Sequence, residues 1–333
     1  MQPQPPINYS TSTSREDQPA AANLLPRAVL RPNSYLLLDG SWHFAHDIDD
    51  QGLIHNWAQG HRYEHLAQWP GSVETHLREA RGQKEGSTWQ DKVVVWYERE
   101  FDRPTMDVPA ARSMLQLTFG ACGHETRVWL NGQLLKTIEG EEVHYGEYTS
   151  FTYELDAAVL LPVNRLTVRS ADTMDADLPR GKQESHVYKR GGIWYQTQTG
   201  AVRSVWLETV EQNRLRSRVG VVSEVEDQLV RFNLTLRLHD AGDYIIRLQV
   251  FDPTLPDDAP PLAASDFPLH MAAGQWQQRL VLEVPDARLW APESPNRYRL
   301  VAQLIDATGY AARIETLFGL RKICNLHECY III

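Results

Sequence analysis

Strict alternation of apolar and polar residues, repeated along most of the chain, limits the possible folds more than any other feature. Leu115, Leu117 and Phe119 alternate with Gln116 and Thr118, and Val230, Phe232, Leu234, Leu236 and Leu238 alternate with Arg231, Asn233, Thr235 and Arg237. Leu280, Leu282 and Val284 repeat the pattern, as do Tyr298, Leu300, Ala302 and Leu304. Successive side chains of a β-strand point to opposite faces, so a period of two buries one face and wets the other. Antiparallel sandwiches are built from such strands. Turn signals fall between them. Asn131-Gly132 stands between Val128-Trp129-Leu130 and Leu134-Leu135 and reads as a hairpin, while Ala241-Gly242-Asp243 and Thr308-Gly309 play similar parts. No segment past residue 90 carries a long stripe of 3.6-residue period. The predicted class is all-β.

At 333 residues the chain has room for two domains. A polar link, Glu211-Gln212-Asn213-Arg214, separates an aromatic-rich first half from a second half of regularly spaced strands, with one Pro/Asp/Ala loop from Asp252 to Asp266. About seven strands in about a hundred residues is the count of an immunoglobulin-like sandwich. The larger first half, with its longer loops, suits a jelly roll. The boundaries expected are a disordered Pro/Gln/Ser/Thr-rich lead-in over 1–29, a jelly roll over 30–210 and an immunoglobulin-like sandwich over 211–323.

Charge narrows the partners. With 33 basic against 43 acidic residues the net charge is −10, and no Lys/Arg run is available to neutralise phosphates. Neither nucleic acid nor an anionic membrane is an expected partner; a neutral polar ligand fits better. No apolar run is long enough to span a bilayer, and the N-terminal segment lacks the apolar stretch of a secretory signal. Three cysteines, Cys122, Cys324 and Cys329, make no disulfide framework, so a reducing cytoplasm is the default location.

Between Ser170 and Val210 polar hooks and aromatics interleave: Asp172, Asp175 and Asp177, then Arg180-Gly181-Lys182-Gln183, then Gly192-Ile193-Trp194-Tyr195. Sugar hydroxyls want charged or amide partners, and the apolar face of a pyranose wants a flat aromatic. A long loop pinned between two strands has the same composition, so both readings stand at this point. Trp42, Trp96, Trp129 and Trp206 lie within strands and read as packing residues.

Several metal-like or phosphate-like patterns carry less. His61-Arg62-Tyr63-Glu64-His65 fits H-x-x-E-H, but that chemistry needs a helix presenting both histidines, and no apolar helical stripe supports one. Cys324, His327 and Cys329 offer three ligands without a fourth, in a tail read as structureless, whose apolar end Tyr330-Ile331-Ile332-Ile333 is β-prone. Asp172, Asp175 and Asp177 lack the spacing of a calcium loop and read as solvated loop acids. Gly181-Lys182-Gln183 lacks the rest of a phosphate loop.

Taken together, a series of motifs resembles the N-terminal half of glycoside hydrolase family 2, the family of β-galactosidases, β-glucuronidases and β-mannosidases. In order they are Leu38-Asp39-Gly40-Ser41-Trp42-His43-Phe44, Val95-Trp96-Tyr97-Glu98-Arg99-Glu100-Phe101, Val128-Trp129-Leu130-Asn131-Gly132 and Asn164-Arg165-Leu166-Thr167-Val168-Arg169. Pro179-Arg180-Gly181-Lys182-Gln183, Ile193-Trp194-Tyr195 and Val205-Trp206-Leu207-Glu208 follow, and the second half adds Leu289-Trp290-Ala291-Pro292-Glu293-Ser294-Pro295 and Phe318-Gly319-Leu320-Arg321-Lys322-Ile323. The resemblance implies a sugar-binding jelly roll, an immunoglobulin-like sandwich, a β-linked carbohydrate ligand and no cofactor. It also implies a catalytic (β/α)₈ barrel after the second sandwich, bearing both catalytic glutamates; no residue here matches that pair, and 324–333 does not resemble the barrel's start. A shifted reading frame, an early stop or a truncated gene each gives such an ending, and the chain alone is expected to be inactive.

Two departures bear on the ligand. Where relatives read Gly-Ile-Trp, this chain has Gly200-Ala201-Val202, and Trp194 stands at the position of an Asp that in well-known members reaches the active site. A Trp stacks on a ring but accepts no hydroxyl hydrogen bonds. The resemblance places Arg180, Lys182, Gln183, Trp194 and Tyr195 on a rim over a sugar site. The competing reading is a loop that braces the jelly roll.

Overall fold

The computed structural model describes residues 29–30, 35–76, 92–104, 112–321, 323–324 and 329–330. Most of the expected lead-in and His327 of the tail lie outside the described residues. Strands dominate, as the alternation requires, and the residues group into two compact units. The first holds the described residues of 36–104 and 117–207; the second holds 29–30, 35, 112–116 and those from 208 onward. Among the described residues no helix is long and apolar enough to cross a membrane.

The first unit is a jelly-roll-like sandwich. Its larger sheet runs His144–Tyr145, Glu125–Leu130, Val163–Thr173, Lys92–Asp102, Gly40–His46 and His65–Trp69, with Gln133–Leu134 paired to Glu125–Leu130. A smaller sheet runs Phe151–Leu155, Ser113–Phe119, Val205–Glu211 and Tyr35–Leu37. The expected hairpin closes on Asn131-Gly132, both with positive φ (52° and 82°), pairing Trp129 with Leu134. Aromatic rings fill the space between the sheets: Trp69 meets Tyr97 at 5.2 Å and Phe119 at 5.8 Å, both edge-on.

Residues 93–97 of the strand Lys92–Asp102 form an unbroken apolar run because both of its faces are covered there. Residues 93–98 are all buried. Val95 and Tyr97 face the sandwich core. Val94 and Trp96 turn the other way into a satellite cluster with Trp57, Ala58, Tyr63 and Trp129. That cover is the segment after His46, pinned by Asp47, whose carboxylate accepts from the Gln51 and Gly52 amides (2.8 Å each) and from Trp96 Nε1 at 3.0 Å. Trp42, Trp96, Trp129 and Trp206 are all buried.

The second unit is an immunoglobulin-like sandwich. Arg214–Glu224, Leu229–Leu238 and Gly274–Glu283 form one sheet; Ala311–Phe318, Tyr298–Asp306, Gly242–Phe251 and Ala263–Met271 form the core of the other. The alternating residues read from the sequence form its centre: Val230, Phe232, Leu234, Leu236 and Leu238 pack with Ile246, Leu248, Val250, Leu300, Leu304 and Ile314. Three details differ from expectation. Val29–Leu30 pairs with Thr316 and Glu315 in this unit, so the segment at 30 does not start the jelly roll. The loop after Phe251 ends before Ala263, because Ala263–Met271 pairs with Gly242–Phe251 and sets Asp266 opposite Arg247. The tail read as structureless includes a short pairing of Ile323–Cys324 with Cys329–Tyr330.

Each unit offers one sharp test. Phe232 is fully buried, its ring edge-on to Phe318 at 5.5 Å. Truncating it leaves a cavity, and Phe232→Ala is expected to lower the unfolding free energy by about 3–5 kcal/mol. Gly200 has φ of 90°, and a Cβ there would lie 2.1 Å from the Tyr97 hydroxyl. Gly200→Ala therefore combines backbone strain with a clash and is expected to cost about 2–3 kcal/mol. Urea unfolding of both variants checks the pair; a wild-type midpoint in either contradicts the packing described.

Candidate functional site

The polar, aromatic stretch of the sequence becomes one loop in the first unit, running from the end of Val163–Thr173 to Gly200–Ala201. Arg180 lies in its interior, 3 % exposed. Its Nη1 donates to Asp172 Oδ1 at 2.5 Å and also to the Thr173 carbonyl, and its Nη2 reaches Gln183 Oε1 at 3.4 Å. Gln183 is the second anchor. Its Nε2 donates to Glu147 Oε1 at 2.6 Å and to the Tyr148 hydroxyl at 2.8 Å, while its Oε1 accepts from the Gln198 amide at 2.7 Å. Backbone bonds from Glu184 to Tyr195 (2.7 Å) and from Tyr195 to Lys182 (2.9 Å) draw the two arms of the loop together.

The outer surface of the loop is aromatic. Trp194 stacks on Tyr188, centroids 4.1 Å apart and planes 13° from parallel. The Tyr195 hydroxyl accepts from the Lys182 amide at 3.3 Å. Tyr148, Tyr188, Ile193 and Tyr195 are exposed, and so are Lys182 and Lys189. Of the five residues singled out in the sequence, Arg180 and Gln183 face inward and hold the loop. Lys182 and Tyr195 face outward, and Trp194 is half-buried against Tyr188. The loop thus has an inward polar side and an outward aromatic side.

One correction concerns the acids. Asp175 and Asp177 are exposed, as loop acids are, but Asp172 is 2 % exposed and paired with Arg180 rather than solvated. Burial pushes its carboxyl above the usual range, and Arg180 opposes that shift.

Two further buried acids lie beneath the loop, both missed in the sequence. Glu74 accepts from Ser72 Oγ at 2.6 Å and from the Thr199 amide at 2.9 Å, both through Oε2, and its Oε1 has no partner. Glu147 is bonded through Oε1 to Gln183, and its Oε2 is buried without a partner. Burial, reinforced by the charge of Asp172, pushes the Glu147 carboxyl up to about 7. Isolated acids in polar text carry no periodic signal; only the neighbours Tyr145 and Tyr148 hinted at a special environment around Glu147. Elsewhere in the unit Glu98 is also raised to about 7, by burial first, with Arg165 opposing.

The H-x-x-E-H pattern dissolves in three dimensions. Residues 61–64 are irregular and His65 begins a strand; His61 stacks on Trp57 at 3.7 Å, whereas the His65 ring lies 5.4 Å from Phe44. Among the described residues no group of three or more His, Cys, Asp or Glu side chains is placed to hold a metal ion. The second unit has a cavity of about 290 Å³ lined by residues including Arg112, Tyr244 and Tyr310. Arg112 there is engaged by Asp306 at 2.5 Å and Thr308 at 3.1 Å.

Comparison with known proteins bears on this architecture directly. Residues 214–321, the second sandwich, match the model of Glycosyl hydrolases family 2. The second sandwich is thus similar to that family's. A protein of Formosa agariphila named putative beta-glucuronidase is 21 % identical over 259 residues, which are 76 % of this chain and 22 % of its own. Among solved structures, a glycosyl hydrolase family 2 member from Bacteroides cellulosilyticus superposes with a TM-score of 0.62 at 16 % identity, covering 91 % of this chain and 38 % of that one. The β-glucuronidase of Ruminococcus gnavus, solved in complex with D-glucaro 1,5-lactone, superposes with a TM-score of 0.62 at 18 % identity, covering 90 % and 47 %. The resemblance drawn from the motifs holds, and the chain spans about a quarter of the curated relative and under half of these solved chains.

Two measurements probe the loop and the buried acids. Asp172→Asn leaves Arg180 buried without its counter-charge, which typically costs about 3–5 kcal/mol; the urea midpoint should fall and proteases should cut between 178 and 198. Unchanged stability and an uncut loop would contradict the anchoring role. Glu98 and Glu147 bear on pH. Each binds its proton more tightly folded (about 7) than unfolded (4.5), so the folded state is penalised once the unfolded chain releases that proton. Their penalty is absent below about pH 4.5, grows to about pH 7 and is constant above. The double variant Glu98→Gln/Glu147→Gln should flatten the decline in unfolding free energy between pH 5 and 8; a slope equal to wild type refutes the assignment.

Proposed function

We propose that this chain supplies the sugar-binding jelly roll and immunoglobulin-like sandwich of a retaining, β-glucuronidase-like exo-glycosidase of family 2. Its natural partner is a catalytic (β/α)₈ barrel outside these residues. The observation that carries the reading is the likeness of the two-sandwich architecture to solved β-glucuronidase chains over 90 % of this chain. The Ruminococcus gnavus enzyme has been solved with D-glucuronic acid bound, which supports a uronic acid as the sugar class.

The chemistry within the chain agrees with a binding role. Retaining hydrolysis needs two carboxylates about 5–5.5 Å apart, flanking a sugar that enters from solvent. The strongly perturbed acids here, Glu74, Glu98 and Glu147, are at most 5 % exposed and face protein rather than a cleft. What the first unit does present is a group of aromatic side chains, the stacked pair of Tyr188 and Trp194 and the exposed Tyr195, with Lys182 and Lys189 on the same loop. Aromatic faces suit the apolar side of a pyranose, and an ammonium suits a uronate carboxylate. The same surface favours a second reading, a carbohydrate-binding or scaffold module that acts without chemistry. A reducing, cytoplasmic setting goes with both readings, Cys122 being a free buried thiol.

The test uses the purified chain and 4-nitrophenyl β-D-glucuronide. No turnover above a buffer blank is expected, and calorimetry should detect binding that Trp194→Ala abolishes. Turnover would overturn the assignment of chemistry to a separate barrel, and binding indifferent to Trp194→Ala would overturn the aromatic surface as the sugar contact.

A further inference from the structure

Beneath the aromatic surface Glu147 is the group with no structural need to be an acid. Its backbone and side chain press on Gly123, where an added Cβ would come within 2.6 Å of Glu147 Cα and Cγ. Among the described residues its carboxylate accepts the 2.6 Å contact from Gln183 Nε2, and Gln183 Nε2 also holds the Tyr148 hydroxyl at 2.8 Å. Gly181, two residues before Gln183, has φ of 66° and sits against the Tyr195 hydroxyl, to which a Cβ would approach within 3.0 Å. Glu147, Gln183, Tyr148 and Tyr195 thus form one continuous set of contacts from the interior to the exposed rings.

We propose that Glu147 is a positioning residue whose protonation state sets the placement of Tyr148 and Tyr195, through Gln183, and so makes the aromatic surface pH-responsive. The sugar-binding use of that surface rests on the reading above; the coupling itself does not. The charged groups around Glu147 decide the direction. Asp172 from Val163–Thr173 and Glu74 from the segment after Ser72 oppose a second negative charge, and Arg180, the cation facing it from the loop, is engaged by Asp172. His124 lies near Asp172, and His144, held below its usual range by burial, stacks on Phe151 at 4.0 Å. An ionised carboxyl accepts the Gln183 amide more strongly than a neutral one, and that bond favours the ionised form. Ionisation also adds charge beside two acids and draws on Arg180, so the position of Gln183 between Glu147 and Tyr148 shifts with that charge. The charge of Glu147 also raises the Tyr148 hydroxyl, second only to burial, so the two groups sense each other.

The experiment needs no ligand, so its failure is separable from failure of the sugar reading. The full chain is labelled with ¹⁵N-tyrosine, and the amides of Tyr148 and Tyr195 are assigned by Tyr→Phe variants and followed from pH 5.5 to 8.5. Both should move with one shared midpoint near the value of about 7 to which Glu147 is raised. Glu147→Gln, which keeps the acceptor for Gln183, should abolish the shared step. Glu98→Gln, which removes the other acid raised to about 7, should leave it intact. Resonances that do not titrate, or that titrate unchanged in Glu147→Gln, overturn the proposal.

Discussion

The buried pair of Arg180 and Asp172 is the interaction on which the distinctive part of this molecule depends. Strand pairing alone would give two sandwiches joined by loops of no fixed shape. A guanidinium at 3 % exposure and a carboxylate at 2 % are costly to desolvate, and the pair is tolerable only because each has further partners. Arg180 also reaches the Thr173 carbonyl and Gln183, and Asp172 Oδ1 accepts from the Thr173 amide. Such a pair contributes little net stability over an apolar one, but it tolerates few alternative geometries. It therefore ties the loop to the end of one strand and leaves the aromatics no choice but to face outward.

That anchoring works because the sheet beneath it is rigid. The strand Lys92–Asp102 is covered on both faces, by the sandwich core and by the satellite cluster around Trp96. Val163–Thr173 pairs with it along its whole length, from Val163 opposite Asp102 to Thr173 opposite Lys92. Asp172 is paired with Val93 on one side, and the ladder with Glu125–Leu130 on the other edge ends one residue before it, at Ala171. A charged anchor on a frayed strand end would relax toward water. Here relaxation would require breaking the ladder.

How much of this was legible in the sequence follows from the range of the interactions. Alternation reports which face of a strand is buried, and it located the centre of the second sandwich residue by residue, from Val230 to Leu238. The Asn131-Gly132 hairpin was equally local, since positive φ at two successive positions demands those residues. Partners distant in sequence were not readable. Nothing near Val29 announces that it pairs with Thr316, and nothing near Glu74 announces the Thr199 amide. The loop residues Arg180, Lys182, Gln183, Trp194 and Tyr195 were found by composition, yet composition gives no direction. It could not say that Arg180 and Gln183 turn inward while Lys182 and Tyr195 turn outward. Asp172 was misplaced for the same reason, because its counter-ion lies eight residues away across a turn.

Both units bury charge, but in different settings. The second unit buries Glu208, Glu211 and Arg214 and also pairs charges across neighbouring strands on the solvent face, as in Arg247 opposite Asp266, bonded through two contacts of 2.7 Å, and Asp243 opposite His270. Exposed pairs of this kind contribute up to about 1 kcal/mol and help fix strand register and solubility. In the first unit the acids Glu74, Glu147 and Asp172 are gathered inside, each with a buried carboxyl oxygen that has no partner among the described residues. Apolar residues of similar volume would pack there at lower cost. That cost, set beneath the surface that bears Trp194 and Tyr195, is what the proposed ligand role of the first unit would explain.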